Sequence, residues 1–286
     1  MDMKKDFSAL LSFLIVLVLL CLPGRALSQI TLRGEVVDKQ GDGIAFVSLG
    51  IAGTEVARLS NRNGQFEITI PKVEQKERLT FHVPGYQTVA YPIDSLSQLE
   101  ILRITMAPGV RQLKTVEVVA GEKLKTRVRG NKGLVVGDFK MSFTNQRLYG
   151  VKVNVPNKTA SLKSISFHVT NDSSITFTVR PFIYPVREGK ILSDQNLITE
   201  NRQFTFTERK GWLQMDLGEL SPEVSGTVVV GVEWLEVANE SKTPSASISL
   251  VAFGSSVSFV SAYYHELEAY RGIGAFAVKA QFEFFD

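Results

Sequence analysis

The chain reads as all-β: two β-sandwiches in series behind an apolar leader. Three observations lead there. Apolar residues recur at every second position through most of the chain, the pleat period of a strand with one buried face. Clusters of Asp, Asn, Gly and Ser punctuate those runs. No amphipathic helical pattern lies among the first seven runs. With 286 residues, 44% hydrophobic and 21% charged, the composition is that of a globular chain of roughly two domains. A net charge of +3 is too small to imply a nucleic-acid partner.

The leader comes first. Lys4 and Lys5 precede an almost unbroken apolar run, Leu10 to Leu22, and Ala26-Leu27-Ser28 supplies a small-residue cleavage signal. A signal peptide over 1–28 is therefore expected, cut after Ser28, with the protein exported to the periplasm, outer membrane or cell surface. The run falls short of the roughly 20 apolar residues of a spanning helix; a retained anchor is the alternative. Leu19-Leu20 before Cys21 lacks the small residue of a lipid-attachment signal, so Cys21 is expected to leave with the leader. The mature chain would then hold no disulfide, thiol nucleophile or cysteine-ligated metal.

Residues 29–107 form the first expected sandwich. Ile30, Leu32, Gly34 and Val36 make one strand face. After the turn cluster 38–43, Ala45, Val47, Leu49 and Ile51 make the next inward row. A short strand at Val56–Ser60 enters Asn61-Arg62-Asn63-Gly64, and Asn-Gly closes hairpins because both residues tolerate positive φ. Phe66, Ile68 and Ile70 follow, then Leu79, Phe81 and Val83, Tyr86 to Ile93, and Leu102, Ile104 and Met106. Seven short strands at this spacing read as one sandwich.

The order GEVVD, DGIAFVSLGIAGT, LSNRNGQFEITIP, LTFHVPGYQT resembles the carboxypeptidase regulatory-like domain. Gly34, the turn Asn63-Gly64-Gln65-Phe66 and Gly85-Tyr86 fall at that family's recurring positions. The resemblance, over residues 29–107, implies a transthyretin-like seven-stranded sandwich. It also implies an appended, non-catalytic module, common in the cell-envelope proteins and nutrient receptors of Bacteroidota-type bacteria.

Residues 108–133 read as a basic linker opened by Pro108-Gly109. Between Arg111 and Lys132 seven Lys or Arg stand against two Glu, a local charge of +5. Two readings stand: a solvated linker, or adhesion to an anionic surface such as lipid head groups or wall polymer.

Strands resume over 134–286, with candidates at 148–155, 161–170, 175–184, 204–207, 212–217, 227–235, 246–253, 257–263 and 275–285. That density suggests a jelly-roll-like β-sandwich. The segments LKSISFHVTND, ITFTVRPFIYPV, GWLQMDLGEL and TVVVGVEWLE resemble the uncharacterised C-terminal half of many secreted Bacteroidota proteins. An alternative is a small outer-membrane barrel, since Phe276 to Phe285 alternates and is aromatic. Against it, several strands are shorter than the 9–11 residues a spanning strand needs.

Catalytic chemistry is scarce. His265-Glu266-Leu267-Glu268 has the H-x-x-E spacing of zinc carboxypeptidases, yet only 18 residues follow and none is a further His. No G-x-S-x-G elbow and no phosphate-cradling glycine loop occurs. The expectation is a non-enzymatic protein without cofactor or metal that binds a glycan or an envelope protein, with an accessory role in nutrient uptake as the alternative.

Strand alternation proposes where. Leu213, Met215 and Leu217 claim one face, sending Trp212 to the other; Ile175, Phe177 and Val179 point inward, leaving Arg180, Phe182 and Tyr184 opposite. Val228, Val230, Val232 and Trp234 share an inner face, so Glu233 lies outside. Arg180, Tyr184, Trp212 and Glu233 are thus the candidate ligand-binding patch. In the competing reading Arg180 pairs with Asp216 or Glu233 beneath a covering loop, and Trp212 caps an edge. Tyr263, Tyr264, His265 and Tyr270 form a second aromatic cluster.

Overall fold

The computed structural model of the chain describes residues 29–71, 74–109, 124–140, 148–155, 159–238, 246–252, 254, 256–261, 267–272 and 274–285. The leader with its cleavage point, Cys21, and Tyr263, Tyr264 and His265 lie outside them.

The first unit holds β1 (Gln29–Val37), β2 (Ser48–Gly50), β3 (Ala57–Leu59), β4 (Gln65–Pro71), β5 (Arg78–His82), β6 (Val89–Pro92) and β7 (Leu102–Thr105). A four-residue helix, α1 (Ile93–Leu96), buries Ile93 and Leu96 after β6. One sheet runs β4-β1-β7 and the other β3-β2-β5-β6. Their facing rows (Leu32, Val36, Phe66, Ile68 and Leu102 against Val47, Leu49, Leu79 and Phe81) make one core. Gly34 is required by a close approach. Where β1 lies parallel to β7, a Cβ at this position would stand 2.2 Å from the Leu102 carbonyl oxygen.

The second unit begins earlier in the chain than the linker reading allowed. β8 (Leu124–Gly130) is a strand, hydrogen-bonded along the last strand of the chain from Lys279↔Gly130 to Phe285↔Leu124. Lys125, Arg127 and Arg129 pair with Phe284, Phe282 and Ala280, whose side chains point into the core. These cations therefore stand on the apolar side of an edge strand, where inward-pointing charge discourages a further strand from adding. The Arg127 guanidinium lies 5.3 Å from the Phe284 ring centroid. Basic composition read as linker because a central strand could not bury such residues; an edge strand can.

There follow β9 (Val135–Lys140), β10 (Leu148–Asn154), β11 (Ala160–Arg187), β12 (Lys190–Ile191), β13 (Phe204–Asp216), β14 (Glu223–Val224), β15 (Thr227–Ala238), β16 (Ser247–Val251), β17 (Ser258–Ser261), β18 (Glu268–Ala269), β19 (Ala275–Phe276) and β20 (Val278–Phe285). Two pairs of expected strands are continuous. β11 runs through the polar stretch 171–174, and β13 runs through Gly211. The register between them shifts from Thr170↔Lys210 to Ile175↔Glu208. This bulge bends the long hairpin, so its first half joins β20 and its second half joins β15. Buried Asn171 holds the bend: its amide nitrogen donates to the Glu208 carbonyl at 3.0 Å, and its oxygen accepts from the Ser247 N–H at 3.0 Å. A polar run that separated two expected strands thus stays in the sheet, because one side chain satisfies the displaced backbone.

The layers enclose an aromatic-rich core containing Phe167, Phe177, Trp234, Phe276 and Phe282. Trp234 packs 4.5 Å from Phe177. The alternation of β20 that raised the barrel reading serves this interior, with Phe282 and Phe284 buried among the core residues and Lys279 and Gln281 on the other face. A lipid-facing barrel needs the opposite polarity. The fold is all-β sandwich throughout.

Candidate functional site

The polar face of β11 and β15 is covered, and the cover is the first sandwich. Arg180 and Glu233 are direct cross-strand partners, so their pairing follows from register. Nε and Nη2 of Arg180 meet Oε2 of Glu233 at 2.9 and 2.8 Å. Arg180 is only 1% exposed, a burial tolerable for a guanidinium when its donors are used. Nη1 supplies the remaining bonds: 2.7 Å to Oδ1 of Asn201 and 3.3 Å to the Phe46 carbonyl. Asn201 then donates to the Ala45 carbonyl at 2.8 Å. A second bridge lies beside it, where Arg62 donates to Glu236 at 2.6 Å and to Thr178 at 2.7 Å.

Phe46 is the first unit's contribution. It lies in the turn before β2 and outside the first unit's own core, where Ile44, not the expected Ala45, joins Val47, Leu49 and Ile51, yet it is buried. Its φ of +54° is a left-handed conformation that costs a non-glycine residue on the order of 1–3 kcal/mol. The Arg62 guanidinium stands 5.7 Å from its ring centroid. Gly85, at φ +89°, completes the junction: a Cβ there would sit 3.0 Å from the Thr199 carbonyl oxygen.

Beside this seam lies a cleft of about 270 Å³ between the two sandwiches. Ser48, Thr80, His82 and Thr88 of β2, β5 and the β5–β6 turn form one wall. Tyr184, Asp194 and Glu233 stand on the other, with Leu148 and Leu267 as apolar patches. An adjoining hollow of about 220 Å³ shares His82, Thr88 and Asp194. The volume is near the lower end of small-ligand sites, about 300–1,000 Å³.

Burial governs the electrostatics here. The His82 pKa is lowered by burial, then by the charge of Arg180, against a smaller opposite pull from Glu233. His82 Nδ1 lies 2.9 Å from the Thr88 hydroxyl. Burial raises the Tyr184 phenol, and the negative charge of Glu233 raises it further, so the hydroxyl stays protonated. With Arg180 neutralised by Glu233, the cleft offers neutral hydrogen-bonding groups and the Asp194 carboxylate. That inventory suits hydroxyl-rich or amine-bearing ligands better than anions.

The structure therefore brings together Arg180, Tyr184 and Glu233 of the four residues proposed from alternation. Trp212 stands apart. It keeps the outer face foreseen for it, 37% exposed, but on β13 opposite His168. His168 meets it edge-on at 5.5 Å, and Lys279 Nζ lies 4.1 Å from its ring centroid. The expected patch joined residues from opposite halves of the bent hairpin, which the bulge at 171–174 sends into different layers. Tyr270 of the second aromatic cluster packs on the core beside Phe139 and Phe276. Sequence reasoning missed Phe46, His82 and Asn201 at the junction. Phe46 left a signal, a large apolar side chain out of phase with the inward row Val47, Leu49 and Ile51; Asn201, in a loop, left none. Among the described residues no group of three or more His, Cys, Asp or Glu is placed to hold a metal ion.

Residues 32–118 match the family model of the CarboxypepD_reg-like domain. No curated protein matches the chain. Among solved structures, it is similar to the cysteine protease and lectin-like domains of Cwp84, a surface layer associated protein of Clostridium difficile. Identity is 12% over 51% of this chain and 36% of that one, with a TM-score of 0.35. It is also similar to the VP2 subviral particle of infectious bursal disease virus, at 10% identity over 93% and 63% of the two chains and a TM-score of 0.29. The chain thus spans less than two thirds of either structure's length.

Proposed function

We propose that the protein is an exported binding protein of the cell envelope, a reading supported by the match of residues 32–118 to the CarboxypepD_reg-like domain, which suggests a non-catalytic β-sandwich module. Its two sandwiches act as one body, and the cleft between them receives a small hydroxyl-rich ligand such as a glycan unit. The observation that carries this reading is the cleft itself. Its walls come from both units, and the Arg180–Glu233–Phe46 seam holds them in register. Hydroxyls of Ser48, Thr80 and Thr88 face Tyr184 and Asp194 across it. A sugar is recognised by such a set, with donors and acceptors around its hydroxyls and apolar patches under its C–H faces. Export is supported by the basic start, apolar run and small-residue cleavage signal of residues 1–28.

The test is calorimetric titration of residues 29–286 with mono- and oligosaccharides, repeated on Asp194→Asn and Tyr184→Phe. Binding weakened roughly tenfold or more by either change is expected, the loss of about one buried hydrogen bond to a ligand. Binding indifferent to both changes but abolished by Trp212→Ala would move the site to the outer face of β13. Saccharides that fail to bind at all would remove the glycan reading.

A further inference from the structure

Away from the cleft, an open groove of about 510 Å³ lies where β8, β10 and the turn before β17 meet. Arg129 and Lys132, at and just after the end of β8, and Lys152, on β10, line it, and among the described residues no carboxylate does. None of the three has an acidic partner among the described residues.

The groove is built on a buried anchor. Asn131, between Arg129 and Lys132, is almost fully enclosed. Its amide nitrogen donates to the Ser256 carbonyl at 3.0 Å, and its oxygen accepts from the Ser256 N–H at 2.8 Å. Its own N–H donates to the Val278 carbonyl at 2.8 Å. Lys152 is tied to the same turn through its N–H, 2.9 Å from the Val257 carbonyl. The cations therefore flank a fixed backbone. Their accumulated charge reaches the outer face, where Lys279 has its pKa lowered first by burial and then by Lys132.

An exposed apolar side chain stands in the groove: Val257, 53% exposed, lines it. In sequence the exposed Leu134 and Val136 lie two and four residues after Lys132. Basic groups without counter-charges beside exposed aliphatic ones match a bilayer surface: phosphates take the cations, and the aliphatic groups enter the head-group boundary.

We propose that this groove docks the protein on anionic phospholipid. The charge distribution agrees. The stretch from Arg111 to Lys132 carries +5, while the rest of the chain from Gln29 is near −3, so basic charge is concentrated in the part of the sequence that supplies Arg129 and Lys132 to the groove. The docking site is separate from the cleft, and either can fail without the other.

Co-sedimentation tests it, using the chain from Gln29 onward, which contains every described element. Binding is expected to vesicles of equimolar phosphatidylglycerol and phosphatidylcholine, and not to pure phosphatidylcholine, and should fade as salt shortens the screening length. Lys132→Gln with Lys152→Gln should lower vesicle affinity roughly thirty-fold at an unchanged melting temperature. Val257→Ser should lower it further. Equal binding to neutral vesicles, or salt-insensitive binding by the unaltered chain, would overturn the proposal even if the double variant misfolds. So would a folded double variant that binds normally. Inorganic phosphate binding as tightly as vesicles would replace the lipid with a small-anion site and overturn it too.

Discussion

Nη1 of Arg180, on β11 of the second sandwich, donates to the main-chain carbonyl of Phe46 in the first, at 3.3 Å. Phe46 is held there at a positive φ with its ring buried. A buried cation and a strained aromatic thus meet at the seam that sets the cleft, and each is tolerable only while the other unit is in place.

Arg180→Met should therefore destabilise the chain by about 3–5 kcal/mol, because it leaves Glu233 buried and unpaired. Adding Glu233→Leu should recover most of that loss. Urea unfolding of the unaltered chain and the two variants measures it. A single variant as stable as the double one would mean that the pair contributes nothing through burial.

Gly34→Ala should unfold or severely weaken the first sandwich, since the added methyl would overlap the Leu102 backbone. The β1–β7 pairing must then open, exposing a core row. Circular dichroism of residues 29–109 alone, with and without the change, reads the effect without the second unit.

Trp234→Ala should cost on the order of 3–5 kcal/mol, since that indole is 2% exposed and packs on Phe167 and Phe177. Trp212→Ala should cost far less, though the lost Lys279 contact puts it above the roughly 0.5 kcal/mol of an ordinary surface change. Paired melting curves decide. Equal losses would refute the face assignment.

Trypsin should spare the bonds after Lys125, Arg127 and Arg129, whose backbone is laddered to β20. Mass spectrometry of early fragments is expected to find no cut there while the protein is native. Rapid cleavage at those three sites would mean that β8 opens freely.

Acid should weaken the fold before the carboxylates dominate. His82 and His168 both have lowered pKa values, the first from burial and Arg180, the second from burial with Lys210 and Lys279. Such groups bind fewer protons folded than unfolded. Their stabilising contribution is complete above the unfolded value of about 6.5 and is lost as pH falls through the folded values. Melting temperature should drop as pH falls below about 6.5, and drop less in the His82→Gln, His168→Gln double variant.

Much of this protein could be read residue by residue. Period-two alternation located the seven strands of the first sandwich and chose the correct faces for Trp212, Trp234, Arg180 and Glu233, because side-chain direction in a strand is a local property. Gly34 was visible as a special position, though only the parallel approach of β7 explains it. Tertiary structure decided what met what. Whether residues 171–174 turn the chain or bulge within a strand depends on Asn171 finding Glu208 and Ser247, which lie 37 and 76 residues away. That bulge separates Trp212 from Arg180. Whether Lys125, Arg127 and Arg129 are linker or edge depends on β20, at the far end of the chain. Outward-facing Arg180 and Phe46 became a seam only when two sandwiches, each complete in its own core, were laid together. Local pattern sets which face a residue takes; partners across long loops, bound by burial and hydrogen bonds that composition does not encode, set what that face becomes.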